Sequence, residues 1–146
     1  MWAVAFGAVG VADPRAAAGS PSGVAAVLAK VGGRVPAPTV ALELSGNPSA
    51  VRSLLAAVDV GGVLVLAGSV VPGPELGIVP EQLVHRLLTI RGVHNYAPRH
   101  LEQAVRFLAG TWQRYPFAEQ VGETFPLAEV DRALAATTHR RVAVRP

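Results

Sequence analysis

The residues whose types invite chemistry are four histidines, Ser45, Asp59 and Glu43. His85, His94, His100 and His139 share no i, i+4 pairing and have no acidic third ligand at metal spacing, so they do not compose a metal site. His94 is the one histidine placed to line a pocket, because it comes at the end of an expected strand. His85 on a short helix and His100 in a helix's first turn face solvent, and His139 falls in the loop before the last strand. Ser45, His94 and Asp59 can be assembled on paper into a nucleophile, base and acid, but no nucleophile elbow surrounds Ser45. Glu43 is the only acid near a strand end, and from inside its strand it is expected to point to a neighbouring helix.

The elements that must position these residues alternate between strand and helix. Residues 4–11 are apolar with small side chains and are expected to form a short strand closing at Asp13-Pro14. A loop over 15–23 leads to a helix over 24–31, which Ser20 or Ser22 could cap and which stops at Gly32-Gly33. Residues 34–38 are a turn, since two prolines forbid a helix or a central strand. Residues 39–44 (TVALEL) form an apolar run broken only by Glu43, the pattern of a strand covered on both faces. Asn47 caps a helix that starts at Pro48 and puts Val51, Leu54, Leu55 and Val58 on one stripe until Gly61-Gly62 stops it. Residues 62–66 (GVLVL) are a second buried strand. A loop over 70–80 and a short helix over 81–87 precede a third strand at 89–93.

A helix over 99–109 carries Leu101, Val105 and Leu108 inward. A strand over 120–125, a helix over 126–136 with Leu127, Val130 and Leu134 inward, and a closing strand over 141–145 complete the chain. Alternating strands and helices call for an α/β fold with a parallel sheet and right-handed crossovers. No internal repeat or low-complexity linker interrupts it.

Composition narrows the classes. The chain has 146 residues, 51% of them hydrophobic, which suits about one domain with a real core. No segment offers the 18 or so unbroken apolar residues of a membrane span. Met1 to Ala12 lacks the basic n-region of a signal peptide. The net charge of +3 comes from cations that are nearly all Arg, scattered along helices, with only Arg140 and Arg141 adjacent. No aromatic residues interleave with them, so a nucleic-acid platform is rejected. With no cysteine there is neither a disulfide nor a thiolate ligand, and a cytoplasmic protein fits.

In open parallel sheets ligands sit at the carboxyl ends of the strands. Those ends are Ser45-Gly46-Asn47, Ala67-Gly68-Ser69 and Gly92-Val93-His94-Asn95. Small residues there let a flat ligand approach the backbone, whose N–H and C=O groups can read an amide. For any single triplet the plainer reading, glycines that end a buried strand, is preferred. Three in consecutive strands favour a ligand edge.

Read together, ALELSGNPSAV, GGVLVLAGSVVPGP, LTIRGVHNYAPRHLEQAVRFL and FPLAEVDRALAATTHRRVAV resemble the zinc-type alcohol dehydrogenases of the medium-chain dehydrogenase/reductase superfamily. Within it the chain looks most like the alcohol dehydrogenases associated with phosphonate catabolism, where RGVHNY and a segment like Tyr115-Pro116-Phe117 recur. The resemblance runs from about Phe6 to Arg145. It implies a partial Rossmann-type parallel sheet, the later half of a dinucleotide-binding domain with its C-terminal helices and closing strand, so that residues 1–146 form a single incomplete domain. It implies NAD(P) as cofactor. Ser45 and Gly46 would border the adenosine side, with Glu43 near the ribose region. Ala67, Gly68 and Ser69 would lie along the nicotinamide and its ribose, and Gly92, Val93 and His94 would present backbone groups to the carboxamide. Arg141 would contact the pyrophosphate, a charge-assisted role. Residues Glu75–Val79 would match a strand that pairs across a homodimer.

The departures from the family pattern bear on activity. The G-x-G-x-x-G turn that places a pyrophosphate on a helix N-terminus does not occur, and Gly7-Ala8-Val9-Gly10 is not a substitute. The acid that selects between NAD and NADP is also absent, as are the ligands of the catalytic zinc and the four-cysteine structural site, which belong to the full-length family's N-terminal half. Zinc polarises the alkoxide in that family, so the expectation is a fragment that is inactive alone, with weak or no cofactor binding. The alternative is a non-catalytic α/β module that works only with a partner chain, and a free-standing small α/β enzyme has the least support.

Overall fold

The computed structural model describes residues 2–11, 13, 37–137 and 141–146. The elements are α1 (Trp2–Ala5), β1 (Val40–Glu43), α2 (Pro48–Ala57), β2 (Val63–Leu66), α3 (Pro80–His85), β3 (Thr89–Gly92), α4 (Pro98–Thr111), β4 (Val121–Pro126), α5 (Val130–Ala135) and β5 (Arg141–Arg145). The architecture is mixed α/β with parallel sheets, as the alternation of elements predicts. Two compact units divide it: Ala8–Tyr96, and Met1–Gly7 with Ala97–Pro146. The helix expected over 24–31 and the loop before it lie outside the described residues, as does most of the turn expected over 34–38.

In the unit Ala8–Tyr96 the strands run in the order β1-β2-β3, all parallel, with Val40 opposite Val63 and Leu64 opposite Ile90. The β-branched and leucine residues of VALE and VLVL suit a pleated, packed surface. Between β1 and β2 the chain crosses through α2. Asn47 caps this helix by accepting the Ser49 amide at 2.9 Å, and Pro48 occupies the first helical position, where its missing N–H costs nothing. The stripe read from the sequence faces the core: Val51 and Val58 are buried with Ala41 and Leu64, and Leu54 and Leu55 pack against them. At the other end Arg86 donates to the carbonyls of Leu55 (3.0 Å), Ala56 (3.3 Å) and Val58. One guanidinium thereby satisfies acceptors that a helix C-terminus leaves open. Gly61, at φ +75°, turns the chain into β2.

One expectation for this sheet fails. β1 is covered on one face rather than both, with Ala41 and Glu43 buried and Val40 and Leu42 exposed. Successive side chains alternate across a strand, and α2 lies on the Ala41 side. Residues 70–79 form neither helix nor strand, and Glu75–Val79 pairs with no neighbouring strand.

The unit Met1–Gly7 with Ala97–Pro146 is built on a second parallel pair, β4 with β5, irregular between Val121 and Glu123. Among its described residues Phe125 and Ala133 are buried. The same unit holds an aromatic cluster: Phe6 stacks on Tyr115 at 5.8 Å and meets Phe117 edge-on at 5.2 Å. Three expectations fail in this unit. Residues 4–11 are not a strand, because Trp2–Ala5 is helical, the Phe6 amide bonds the Trp2 carbonyl, and Gly7 at φ +94° ends the turn. A short apolar run rich in alanine does not separate helix from strand by periodicity. Leu101, Val105 and Leu108 of α4 are exposed, not inward. The helix expected over 126–136 begins with a tighter 3-10 turn over Leu127–Glu129, which shifts its phase: Ala133 is buried while Leu127, Val130 and Leu134 are exposed.

Candidate functional site at the carboxyl ends of the strands

The carboxyl ends of β1, β2 and β3 lie side by side because their strands pair in parallel register. Their first two loops are bound to each other by backbone. The Glu43 carbonyl accepts the amides of both Ala67 (2.9 Å) and Gly68 (3.0 Å). A methyl group on Gly68 would stand 2.4 Å from the Gly46 amide nitrogen and 2.4 Å from the Leu44 carbonyl carbon, and one on Gly46 would stand 2.6 Å from the Gly68 carbonyl oxygen. No side chain fits at either position. Gly46 also has φ +71°, which L residues with a Cβ rarely adopt.

Glu43 organises the first of these loops, and sequence reasoning missed that role. The carboxylate does not reach toward a helix but turns back on its own chain. It accepts the Ser45 amide at 2.7 Å, the Ser45 hydroxyl at 2.6 Å and the Gly46 amide at 3.0 Å, in a residue only 1% exposed. The Ser45 hydroxyl, outweighing the opposing effect of burial, and the backbone N–H groups of Ser45 and Gly46 hold the carboxyl below the usual glutamate range. An acid two residues before a Ser-Gly pair, inside an apolar strand, is the signal that could have identified it.

These contacts also decide the fate of the paper triad. The Ser45 hydroxyl donates to Glu43 and accepts the Asn47 amide at 3.2 Å, while an Asp59 oxygen accepts the Val60 amide at 2.8 Å. None of these contacts is with a histidine. Of the histidines, His85 pairs with Glu81 at 2.8 Å on the exposed side of α3, and His100 accepts the Ala97 amide at the start of α4. His94 is exposed at the end of β3, and His139 lies outside the described residues. Among the described residues no three His, Cys, Asp or Glu side chains are grouped to hold a metal ion.

The nine residues implicated by resemblance thus fall into two groups and a single outlier. Ser45, Gly46, Ala67 and Gly68 are engaged in binding the β1 and β2 loops together. Ser69, Gly92, Val93 and His94 are not, and a methyl group on Gly92 would meet nothing within 4 Å. Asn95, at φ 56°, turns the chain away after them. The Val93 amide is already bonded to the Leu66 carbonyl at 2.9 Å, so the groups left to a ligand here are its carbonyl and its neighbours. The open approach to this edge is therefore on the β2 and β3 side. Arg141 is exposed at the start of β5, in the other unit.

No family model matches the chain. It is 40% identical over 55 residues to the L-threonine 3-dehydrogenase of Vibrio vulnificus strain YJ016, a match spanning 38% of this chain and 16% of that protein. The enzyme of the same name from Vibrio parahaemolyticus is 38% identical over 55 residues. Among solved structures, an alcohol dehydrogenase from Thermotoga maritima superposes with a TM-score of 0.66 at 22% identity, over 80% of this chain and 31% of its own. A protein described as a short chain alcohol dehydrogenase from Escherichia coli CFT073, crystallised with NADH, gives 0.64 at 14% identity, over 83% of this chain and 34% of its own. The chain spans about a third of the length of these structures. At these identities what is common to them is the fold, an α/β arrangement of parallel strands crossed by helices.

Proposed function

We propose that this chain is the later portion of the dinucleotide-binding domain of a zinc-type, NAD(P)-dependent alcohol dehydrogenase, a cytoplasmic oxidoreductase of the medium-chain superfamily. One observation carries the reading: three parallel strands end side by side in SGN, AGS and GVH, within a fold similar to that of a dehydrogenase crystallised with NADH. The local identity to threonine dehydrogenases supports it. RGVHNY and Tyr115-Pro116-Phe117 favour the phosphonate-associated group within the superfamily.

The groups left open at the ends of β2 and β3 fit a nicotinamide. Ser69 can hydrogen-bond a ribose hydroxyl, and the main chain of residues 92–94 can meet a carboxamide, with Gly92 leaving space for a flat ring. Ser45 and Gly46 would border the adenosine side. Zinc finds no such fit. The sequence contains no cysteine, and the described residues offer no cluster of ligands, so no catalytic step is assigned to a metal on this chain. The residues present orient a cofactor and leave alcohol activation unprovided, so the chain by itself is a non-catalyst. Glu75–Val79, which pairs with no strand of its own chain, would pair with a second copy.

Purified chain supplied with NAD or NADP, zinc and a panel of alcohols is expected to show no hydride transfer above background in nicotinamide absorbance. An appreciable rate that a chelator removes would overturn the reading.

A further inference from the structure

Glu43 is the single buried charged residue among the described ones, and the proposed hydride chemistry makes no use of it. Its two ends do different things. The carboxylate gathers the Ser45 amide and hydroxyl and the Gly46 amide, while the main-chain carbonyl gathers the Ala67 and Gly68 amides. Between the two loops Gly46 and Gly68 lie so close that neither tolerates a Cβ. A displacement of Ser45 and Gly46 therefore moves the backbone that Gly68 packs on.

We propose that Glu43 is the positioning residue of the strand-end edge, a latch whose ionised carboxylate fixes the Ser45-Gly46 turn against Gly68 and whose neutralisation frees that turn and, through the Gly46–Gly68 contact, disturbs the β2 loop with it. A neutral carboxyl loses the charge that strengthens its three contacts. It also brings a proton whose one nearby acceptor, the Ser45 hydroxyl, must stop donating to Glu43 to take it, since the other converging groups are N–H donors. Hydrogen bonding to the ionised form is what holds the carboxyl below its ordinary range, and among the described residues no neighbouring charge contributes. The elements packed on β1 agree with this: α2 carries one charged residue, Arg52, which is exposed, and β2 carries none. The latch is therefore closed at neutral pH and opens in acid. Only the chain's own groups are involved, whatever ligand the edge takes.

The test is a pH titration of the full chain by NMR, with the Glu43 side-chain carbon observed together with the amides of Ser45, Gly46, Ala67 and Gly68. All five signals are expected to move with one midpoint, below the roughly 4.3 of an ordinary glutamate. Ser45→Ala should raise that midpoint. Glu43→Gln should flatten the four amide titrations and speed hydrogen exchange at Ser45 and Gly46 by about tenfold, as expected for loss of a charge-assisted bond. An ordinary midpoint for Glu43 would overturn the proposal in the unmodified chain alone. So would Ala67 and Gly68 amides that stay fixed while Ser45 and Gly46 move, or a Ser45→Ala midpoint equal to the original.

Discussion

Gly46, Gly68 and Gly92 carry the same expectation in the sequence, small residues that let a ligand near the backbone, yet the structure gives them different tasks. A Cβ on Gly68 meets three backbone atoms within 2.5 Å, and backbone cannot rotate aside as a side chain can. Gly68→Ala is expected to destabilise by about 2–3 kcal/mol in urea unfolding, the upper range of overpacking costs. Gly92→Ala, facing open space, should stay within about 0.5 kcal/mol, as for an unconstrained surface change. Glu43 carries the pH dependence. Its folded carboxyl is held below the unfolded value, so its contribution is complete above the ordinary glutamate pKa. That contribution falls away as the pH drops through the lower folded value. Stability curves of the native chain and Glu43→Gln should therefore be well separated at pH 7 and converge in acid. The Ser-Gly turn was legible in the sequence because glycine types mark strand ends. Which glycine faces protein and which faces solvent was not, since that depends on the distance between two loops 22 residues apart (46 to 68).

At the scale of elements, legibility depended on several signals agreeing. α2 had an Asn cap, a proline at its first position and an apolar stripe, and all three appear where expected. Asn47→Ala should cost about 1 kcal/mol, measured as a shift in the urea midpoint. Its other end depends on Arg86, 31 residues beyond Leu55, a contact no local pattern announces. Arg86→Ala removes donors from three carbonyls and is expected to cost about 1–3 kcal/mol by the same measurement. The strand expected over residues 4–11 is absent, and its first two residues end the helix Trp2–Ala5, because a short run of small apolar residues fits either period. On α4 the spacing of Leu101, Val105 and Leu108 does mark one apolar stripe, but periodicity says which face is apolar and not what covers it. All three are exposed, so Leu101→Gln or Leu108→Gln should leave the thermal midpoint of this chain almost unmoved.

For the molecule as a whole, alternating elements made the α/β class readable, and the order β1-β2-β3 in parallel register places three small-residue loops along one edge. Among the described residues no cluster able to hold a metal accompanies that edge, which fits our proposal that the chain is part of a larger catalytic unit. The DNA flanking its coding region tests this assignment directly. A dehydrogenase origin predicts, upstream and in or out of frame, codons for a G-x-G-x-x-G turn and for a cysteine- and histidine-bearing zinc domain of the same superfamily. Flanking sequence that encodes neither, on a transcript that yields the 146-residue chain as such, would contradict it.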